Sequence, residues 1–185
     1  MGNAYAGIGS RETPADVLIT MSKLAGRMRE LGWILRSGGA DGADTAFEKG
    51  AGSRKEIFLP WKGFNKNKSS LFEPEGPLSL VDPAVVIAEE SHPNWSFLTG
   101  PVRKMMTRNV RQVLGVTVDD SVKFVVCWTP DGCESKETRQ RSTGGTAQAI
   151  VIAANRNIPV FNLKNPGRLL DLKRFLLDGG YLPVM

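Results

Sequence analysis

The sequence contains few of the residues that bind transition metals or form disulfides. Its 185 residues include one histidine, His92, and two cysteines, Cys127 and Cys133. A single histidine excludes any metal site that needs two or more histidine ligands. Two cysteines cannot form a disulfide framework, so free thiols are favoured over a metal site or a redox pair. We therefore expect neither a metal ion nor a cofactor.

Long hydrophobic runs are also missing. The longest, Ala147–Ala154, is far shorter than the stretch of about 20 apolar residues that crosses a bilayer. No basic and apolar leader opens the chain, so neither secretion nor a membrane partner is indicated, and we expect a cytoplasmic protein. The length favours a single domain over residues 1–185, with an insertion at about residues 61–115.

The charge of the chain is mildly basic. Lys and Arg number 24 against 19 Asp and Glu, which gives a net charge of +5. This excess suits a partner that carries phosphates, either a nucleotide or a nucleic acid, although many proteins without such a partner have a similar charge. Composition alone therefore leaves the partner open.

Short apolar segments alternate with helical patterns along the chain. A strand that begins at Ala4 leads into a glycine turn, and a helix follows with Thr13 as N-cap and Pro14 at its first position. Asn165 and Pro166 are expected to cap the last helix. The other predicted strands cover residues 33–35, 56–60, 121–128 and 158–162. This alternation predicts an α/β fold: a Rossmann-like open parallel sheet of about five or more strands, with helices on both faces and a helical and loop insertion.

Three glycine-rich loops follow predicted strands and precede helices. Ligands bind at the carboxyl ends of the strands of such sheets, and glycine loops at helix N-termini suit phosphate groups. The alternative for each loop is a structural turn. The candidate ligand-binding residues in these loops are Gly9, Ser10, Arg11, Ser37, Gly38, Gly39, Ala40, Asp41, Gly42, Asp44, Thr143, Gly144, Gly145 and Thr146.

Charged residues near the glycine loops extend the candidate site. Asp41 and Asp44 suit ribose hydroxyls, a metal-bridged phosphate or a carboxylate acting on a sugar, and their structural alternative is helix N-capping. A helix over about residues 101–114 carries Arg108 and further cations. These cations form either a basic wall of the site or a solvated helix face.

A second candidate surface is the loop that follows the third predicted strand. It combines Trp61 with Lys62, Lys66 and Lys68. Aromatic rings stack with bases and lysines bind phosphates, so this composition suits single-stranded nucleic acid. The alternative is an ordinary surface loop.

Several of these segments resemble the Rossmann-like domain of the DNA-processing protein A family (DprA, also called Smf). Residues 5–11 are similar to the Gly-Ser-Arg turn of that family, and residues 36–46 to its second glycine segment. Arg108 and Asn109 begin a stretch similar to its Arg-Asn-Arg segment, and residues 144–146 are similar to its last glycine loop. The resemblance covers most of the chain and implies a DprA-like fold, with Arg108 and Asn109 among the ligand-binding residues.

The wider group, the SLOG superfamily, also contains the LOG phosphoribohydrolases and nucleotide-signal sensor domains. When the Gly-Thr pair of the LOG motif is aligned on Gly145 and Thr146, Ala149 stands where that motif has its catalytic glutamate. Asp44 and, second, Glu48 are therefore the candidate catalytic carboxylates. Short stand-alone members of this kind are often phage proteins, which implies the host cytoplasm as the location if a phage encodes the chain.

Three functions follow from these observations. The favoured one is binding of a nucleotide or a nucleotide-derived small molecule, for sensing or sequestering. One alternative is single-stranded DNA binding or DNA processing of the DprA type, with the loop over residues 61–68 as part of the surface. The other is an N-glycosidic hydrolase or transferase acting on a nucleotide. The family resemblance and the sheet edges also lead us to expect a homo-oligomer.

Overall fold

The computed structural model describes residues 2–181, which contain six strands and six α-helices. The strands are β1 (Ala4–Gly7), β2 (Ile34–Ser37), β3 (Lys55–Leu59), β4 (Leu71–Phe72), β5 (Val125–Cys127) and β6 (Val160–Asn162). The helices are α1 (Ala15–Glu30), α2 (Ala43–Ala51), α3 (Pro83–Ser91), α4 (Gly100–Leu114), α5 (Ala147–Ala154) and α6 (Arg168–Asp178). Within the same range, no helix is both long and apolar enough to cross a membrane.

All of these strands run parallel in one open sheet, in the order β4-β3-β2-β1-β5-β6. The chain moves outward from β1 through β2 and β3 to β4, and later continues on the other side of β1 as β5 and β6. The strand order therefore reverses between β1 and β5, the position at which open parallel sheets bind ligands. The predicted Rossmann-like α/β fold is confirmed.

Each face of the sheet has its own hydrophobic core, because successive side chains of a strand point to opposite faces. Tyr5 of β1 packs in an aromatic cluster with Trp33, Phe47 and Phe124 on the face covered by α1, α2 and α6. Ala6 belongs to the second core, which α3, α4 and α5 cover. The predicted arrangement of helices on both faces is therefore also confirmed.

The start of α1 differs from the prediction. Pro14 occupies the N-cap position, and no side chain caps the helix. The Thr13 hydroxyl instead donates a hydrogen bond to the Ser10 carbonyl at 2.7 Å. The prediction of Thr13 as N-cap was wrong because its hydroxyl closes the preceding turn rather than the helix end.

Two other boundaries were also predicted wrongly. The helix α6 begins at Arg168 with Gly167 as its N-cap. The Asn165 amide does not cap α6, because it donates to the Gly132 carbonyl at 2.9 Å. Strand β5 has three residues where eight were predicted. The predicted free thiols Cys127 and Cys133 are confirmed, and both are buried.

The long connection between β3 and α3 includes β4 and is attached to α4 by ion pairs. The Asp82 carboxylate accepts a hydrogen bond from the Ala84 amide at 2.9 Å and thereby caps the N-terminus of α3. Arg111 of α4 contacts Glu73 at 2.7 Å and Asp82 at 2.5 Å. The Glu73 side chain is buried, and its ion pair with Arg111 holds this connection against α4, the helix that lines the candidate site.

Candidate functional site

A cavity of about 390 Å³ lies at the carboxyl end of β1, where the strand order reverses. Most of its lining comes from three segments, which are the turn after β1, the second half of α4 and the loop before α5, and Ala40 and Asp44 contribute from the second glycine loop and the start of α2. The sequence-predicted residues that line it are Gly9, Ser10, Arg11, Ala40, Asp44, Arg108, Asn109, Thr143, Gly144, Gly145 and Thr146. The fold thus brings the first and third glycine loops together with α4.

The turn after β1 is packed closely against the rest of the sheet. The Ser10 amide donates to the Trp128 carbonyl at 3.0 Å, and the Ser10 hydroxyl accepts from the Glu12 amide at 3.0 Å. A Cβ atom at Gly9 would lie 2.8 Å from the Ala43 Cβ and 2.9 Å from the Trp128 carbonyl oxygen. Glycine is therefore required at position 9, and the exposed Arg11 is placed at the cavity.

The second glycine loop is folded around a carboxylate of the protein itself. Oδ2 of Asp44 accepts hydrogen bonds from the Gly38 amide at 3.2 Å and from the Ala40 amide at 3.3 Å. The Ser37 hydroxyl donates to the Gly7 carbonyl at 2.6 Å, which joins this loop to β1. The Gly38 and Ala40 amides, which the sequence predicts to bind a phosphate group, thus already donate to Asp44, which is 3 % exposed.

Asp44 and Arg108 form a buried ion pair at the base of the cavity. Nη1 of Arg108 lies 3.6 Å from Oδ2 of Asp44. Burial raises the pKa of Asp44 to about 6, although Arg108 and the surrounding amides act in the opposite direction. Burial lowers the pKa of Arg108, and the Asp44 carboxylate opposes that change. The solvated-face alternative for Arg108 is therefore wrong, since the residue is 7 % exposed.

Arg108 passes directly over Gly38 and contacts a glutamine that the sequence did not single out. A Cβ atom at Gly38 would lie 1.4 Å from Nη1 of Arg108, so only glycine leaves room for the guanidinium. With its amide oxygen facing Arg108, Gln112 accepts from Nη1 of Arg108 at 3.0 Å and donates to Asn109 at 3.0 Å. Gln112 could have been found from the sequence, because a residue four positions after Arg108 on the same helix lies beside it.

The loop before α5 forms the opposite wall. Asn109 donates from its side-chain amide to the Gly145 carbonyl at 3.0 Å, which connects α4 to this loop. The Thr143 hydroxyl donates to Asp131, and Gly144 adopts a left-handed conformation with φ of +66°. Ala149, in the first turns of α5, also lines the cavity and is 1 % exposed.

Several candidate residues lie outside the cavity. Glu48 accepts from Lys55 at 2.8 Å and from Asn67 at 3.0 Å, and it lines a different depression together with Lys66 and Lys68. Asp41 accepts from Asn65 at 2.9 Å, at the side of its loop away from β1.

The aromatic and basic residues of the loop after β3 also lie away from the cavity. The ring of Trp61 packs on Phe64 with 5.2 Å between centroids, and Lys62 is exposed. Ser37, Gly38, Gly39 and Gly42 support the second glycine loop without lining the cavity. Lys62, Lys66 and Lys68 thus form a basic surface separate from the cavity.

Comparison with known proteins gives one structural match. No protein-family model and no curated protein sequence matches the chain. The fold is similar to that of DNA processing protein A from Helicobacter pylori, a structure described for its single-stranded DNA binding mode. The TM-score is 0.56 at 18 % sequence identity, over 98 % of this chain and 74 % of that chain. At this identity the likeness concerns the fold, and the chain has a DprA-like Rossmann architecture.

Proposed function

We propose that the chain binds a nucleotide or a nucleotide-derived small molecule in the cavity, with the phosphate between the Gly9–Arg11 turn and the Gly144–Thr146 loop. The observation that carries this proposal is the position of the cavity, at the reversal of strand order and between two glycine turns. Glycine turns at such positions permit close approach of the backbone to an anion.

The charges around the cavity support an anionic ligand. Arg108 is already compensated by Asp44, whereas Arg11 is exposed and forms no ion pair within residues 2–181. The charge of Arg11 also lowers the pKa of Arg108, which indicates that the two guanidinium groups face the same region. A phosphate bound there would bring Arg11 the charge-assisted hydrogen bonds that it lacks in the free protein.

The carboxylates favour binding over N-glycosidic cleavage. Asp44 holds the amides of Gly38 and Ala40 and contacts Arg108, so its role in this proposal is to position that arginine. Glu48 faces another depression, and Ala149 takes the place of the glutamate in the LOG motif. We therefore propose that the ligand is sensed or sequestered rather than cleaved.

A nucleotide panel tests this function. Mononucleotides, cyclic nucleotides and ADP-ribose compounds are added in thermal unfolding experiments, and each sample is then analysed by chromatography. A ligand present at about 100 times its Kd stabilises the folded state by about 2.7 kcal/mol, which raises Tm measurably. We expect a higher Tm and unchanged ligand. No stabilisation by any nucleotide would contradict the proposal, and release of a free base would favour the hydrolase.

Single-stranded DNA binding is the second candidate. It is favoured by the DprA-like architecture together with the loop after β3, in which Lys62, Lys66 and Lys68 are exposed and form no ion pair within residues 2–181. These lysines would bind phosphates of the strand, and Trp61, which is partly exposed, would contact a base. In this candidate function the chain resembles DprA in its partner as well as in its fold.

A further inference from the structure

The most exposed large apolar side chains within residues 2–181 lie on either side of α3. Val81 and Phe97 are each 86 % exposed, and Leu80 is 76 % exposed. Leu80 and Val81 precede the helix, whereas Phe97 belongs to the short turn that follows it. An exposed apolar side chain that adjoins further apolar surface is typical of a site that binds a partner.

Of these three side chains, Leu80 lines a groove between α3 and the first turns of α4, which has a volume of about 340 Å³. Its apolar walls are Leu78, Leu80, Val85 and Trp95, and two cations of α4 complete its lining. We call it the α3–α4 groove. It is separate from the nucleotide cavity, which receives residues from the middle of α4 rather than from its start.

The two cations are Arg103 and Lys104, and neither forms an ion pair within residues 2–181. The Arg103 guanidinium donates to the Ser96 carbonyl at 3.1 Å and lies 5.4 Å from the centre of the Trp95 ring. Its Nε atom is buried and has no hydrogen-bond partner. Lys104 donates to the Pro74 carbonyl at 2.6 Å. Both cations thus donate to backbone carbonyls at the groove. Burial raises the pKa of the nearby Glu73, and the charge of Lys104 acts in the opposite direction.

We propose that the α3–α4 groove docks a segment of a partner protein in which carboxylates alternate with aliphatic side chains. The aliphatic side chains would fill the apolar walls, and the carboxylates would pair with Arg103 and Lys104. Helical segments bind apolar grooves in this way, with charged residues at the edge fixing their orientation. This inference is independent of the nucleotide ligand.

The groove suits an acidic peptide better than either of the other possible occupants. A nucleic acid would need a free aromatic face for its bases, but Trp95 is only 7 % exposed and Arg103 lies over its ring. A second copy of the chain carries a net charge of +5, which opposes its approach to a groove lined by two cations. Carboxylates supply the complementary charge directly.

A fluorescein-labelled peptide built only from Leu and Glu tests the proposal by fluorescence anisotropy. We expect saturable binding, and about tenfold weaker binding of the matching peptide in which every Glu is Gln. Leu80→Ser and Lys104→Gln are each expected to weaken binding about fivefold. The matched controls are Val116→Ser, an exposed apolar position outside the groove, and Lys173→Gln on α6. Both controls are expected to bind like the natural protein.

Three results would overturn the inference. One is the absence of saturable binding up to a peptide concentration of about 1 mM. Another is equal weakening by the groove variants and by their controls. The third is evidence for another occupant of the groove, which would be either displacement of the peptide by oligo(dT) with the same dependence on Leu80 and Lys104 or a dimer of the chain that Leu80→Ser dissociates. Because Leu80 is largely exposed, we expect Leu80→Ser to leave Tm unchanged. Weaker peptide binding by this variant would then reflect the lost contact and not unfolding.

Discussion

Oδ2 of Asp44 and Nη1 of Arg108 are 3.6 Å apart, and the side chains are only 4 % and 9 % exposed. The pair joins the start of α2 to the middle of α4, and therefore connects the second glycine loop to the wall of the cavity. In a buried ion pair each charge offsets part of the desolvation cost of the other. The stability of the protein and the shape of its cavity thus depend on the same contact.

Removing one member of this pair is expected to destabilise the protein strongly. Arg108→Met leaves the Asp44 carboxylate buried without its counter-charge, and the free energy of unfolding should fall by about 3 to 5 kcal/mol. Arg27→Gln, in an ion pair with Glu30 that is more than half exposed, is the control, with an expected change below about 1 kcal/mol. Urea unfolding measures both. A loss below about 1 kcal/mol for Arg108→Met would contradict the paired, ionised arrangement.

The raised pKa of Asp44 gives the stability a defined pH dependence. The pKa is about 6 in the folded protein against an ordinary value of 3.8, so the folded state holds an extra proton between these pH values. The part of the free energy of unfolding that the neutral Asp44 carboxyl contributes is fully present below about pH 4 and is lost as the pH rises through 6. The loss amounts to about 3 kcal/mol, at about 1.4 kcal/mol for each pKa unit.

Comparison with Asp44→Asn isolates this contribution, because the amide cannot ionise. The free energy of unfolding of the natural protein, relative to that of the variant, should decrease between pH 4 and pH 7 when both are measured in urea. A constant difference over this range would show that Asp44 is ionised throughout.

Arg11 is expected to matter for the ligand and not for the fold. It is exposed, lines the cavity and forms no ion pair within residues 2–181, so Arg11→Gln should leave Tm of the free protein unchanged. Without its charge-assisted hydrogen bonds to phosphate, the variant should bind the nucleotide about tenfold more weakly, as measured by calorimetry. Arg156→Gln, at an exposed position beyond the end of α5, is the control. If both variants bind equally well, Arg11 does not contact the ligand.

Replacement by alanine is expected to affect stability at one glycine of the cavity and ligand binding at another. Gly9→Ala places its Cβ atom within 2.9 Å of the Trp128 carbonyl, so the free energy of unfolding should fall by about 1 to 3 kcal/mol. Gly145 has open space at its Cβ position, so Gly145→Ala should leave stability unchanged while its methyl group hinders the ligand. Urea unfolding and calorimetry separate the two effects. Equal stability of the two variants would contradict the close packing at Gly9.

The loop after β3 gives a test of DNA binding through its salt dependence. Combined replacement of Lys62, Lys66 and Lys68 by Gln should weaken binding of oligo(dT). It should also make the dependence of log K on log salt less steep, by about 0.7 for each phosphate that the protein no longer neutralises. Fluorescence anisotropy at several salt concentrations measures this slope.

A variant of equal charge controls for the general decrease of positive charge in this DNA experiment. Lys23, Lys49 and Lys173 are exposed on α1, α2 and α6, and their combined replacement by Gln removes the same number of charges. We expect the salt slope of this control to stay close to that of the natural protein, because screening limits charges distant from the strand. If both triple variants lose affinity equally, the loop is not a DNA-binding surface.

The fold could be predicted because the sequence patterns that indicate it are local. Buried strands, glycine turns and amphipathic helices alternate, and this alternation determines a parallel sheet. The wrong helix starts arose where the expected capping side chain bonds to a group outside the helix end. Thr13 bonds back to Ser10, and Asn165 reaches Gly132 across 33 residues of chain. Such contacts depend on the folded arrangement, which capping preferences do not contain.

The position of the candidate site was predictable to a similar degree, but its internal chemistry was not. Glycine loops at strand ends indicate where the cavity lies. Their sequence does not reveal that Asp44 occupies the amides of Gly38 and Ala40, or that Arg108 is buried above Gly38. The first fact depends on the conformation of the loop itself. The second depends on α4, which is more than 50 residues away along the chain and packs against the loop only in the folded protein.

The two outer strands limit how copies of the chain can associate. The sheet ends in β4 and β6, which contain two and three residues. Strands this short offer few unpaired backbone groups, so joining two sheets edge to edge would gain little hydrogen bonding. A continuous sheet through a dimer, and growth into fibres by strand addition, are both disfavoured by this geometry. Any assembly of this protein would have to be built from side-chain surfaces on its helices and loops.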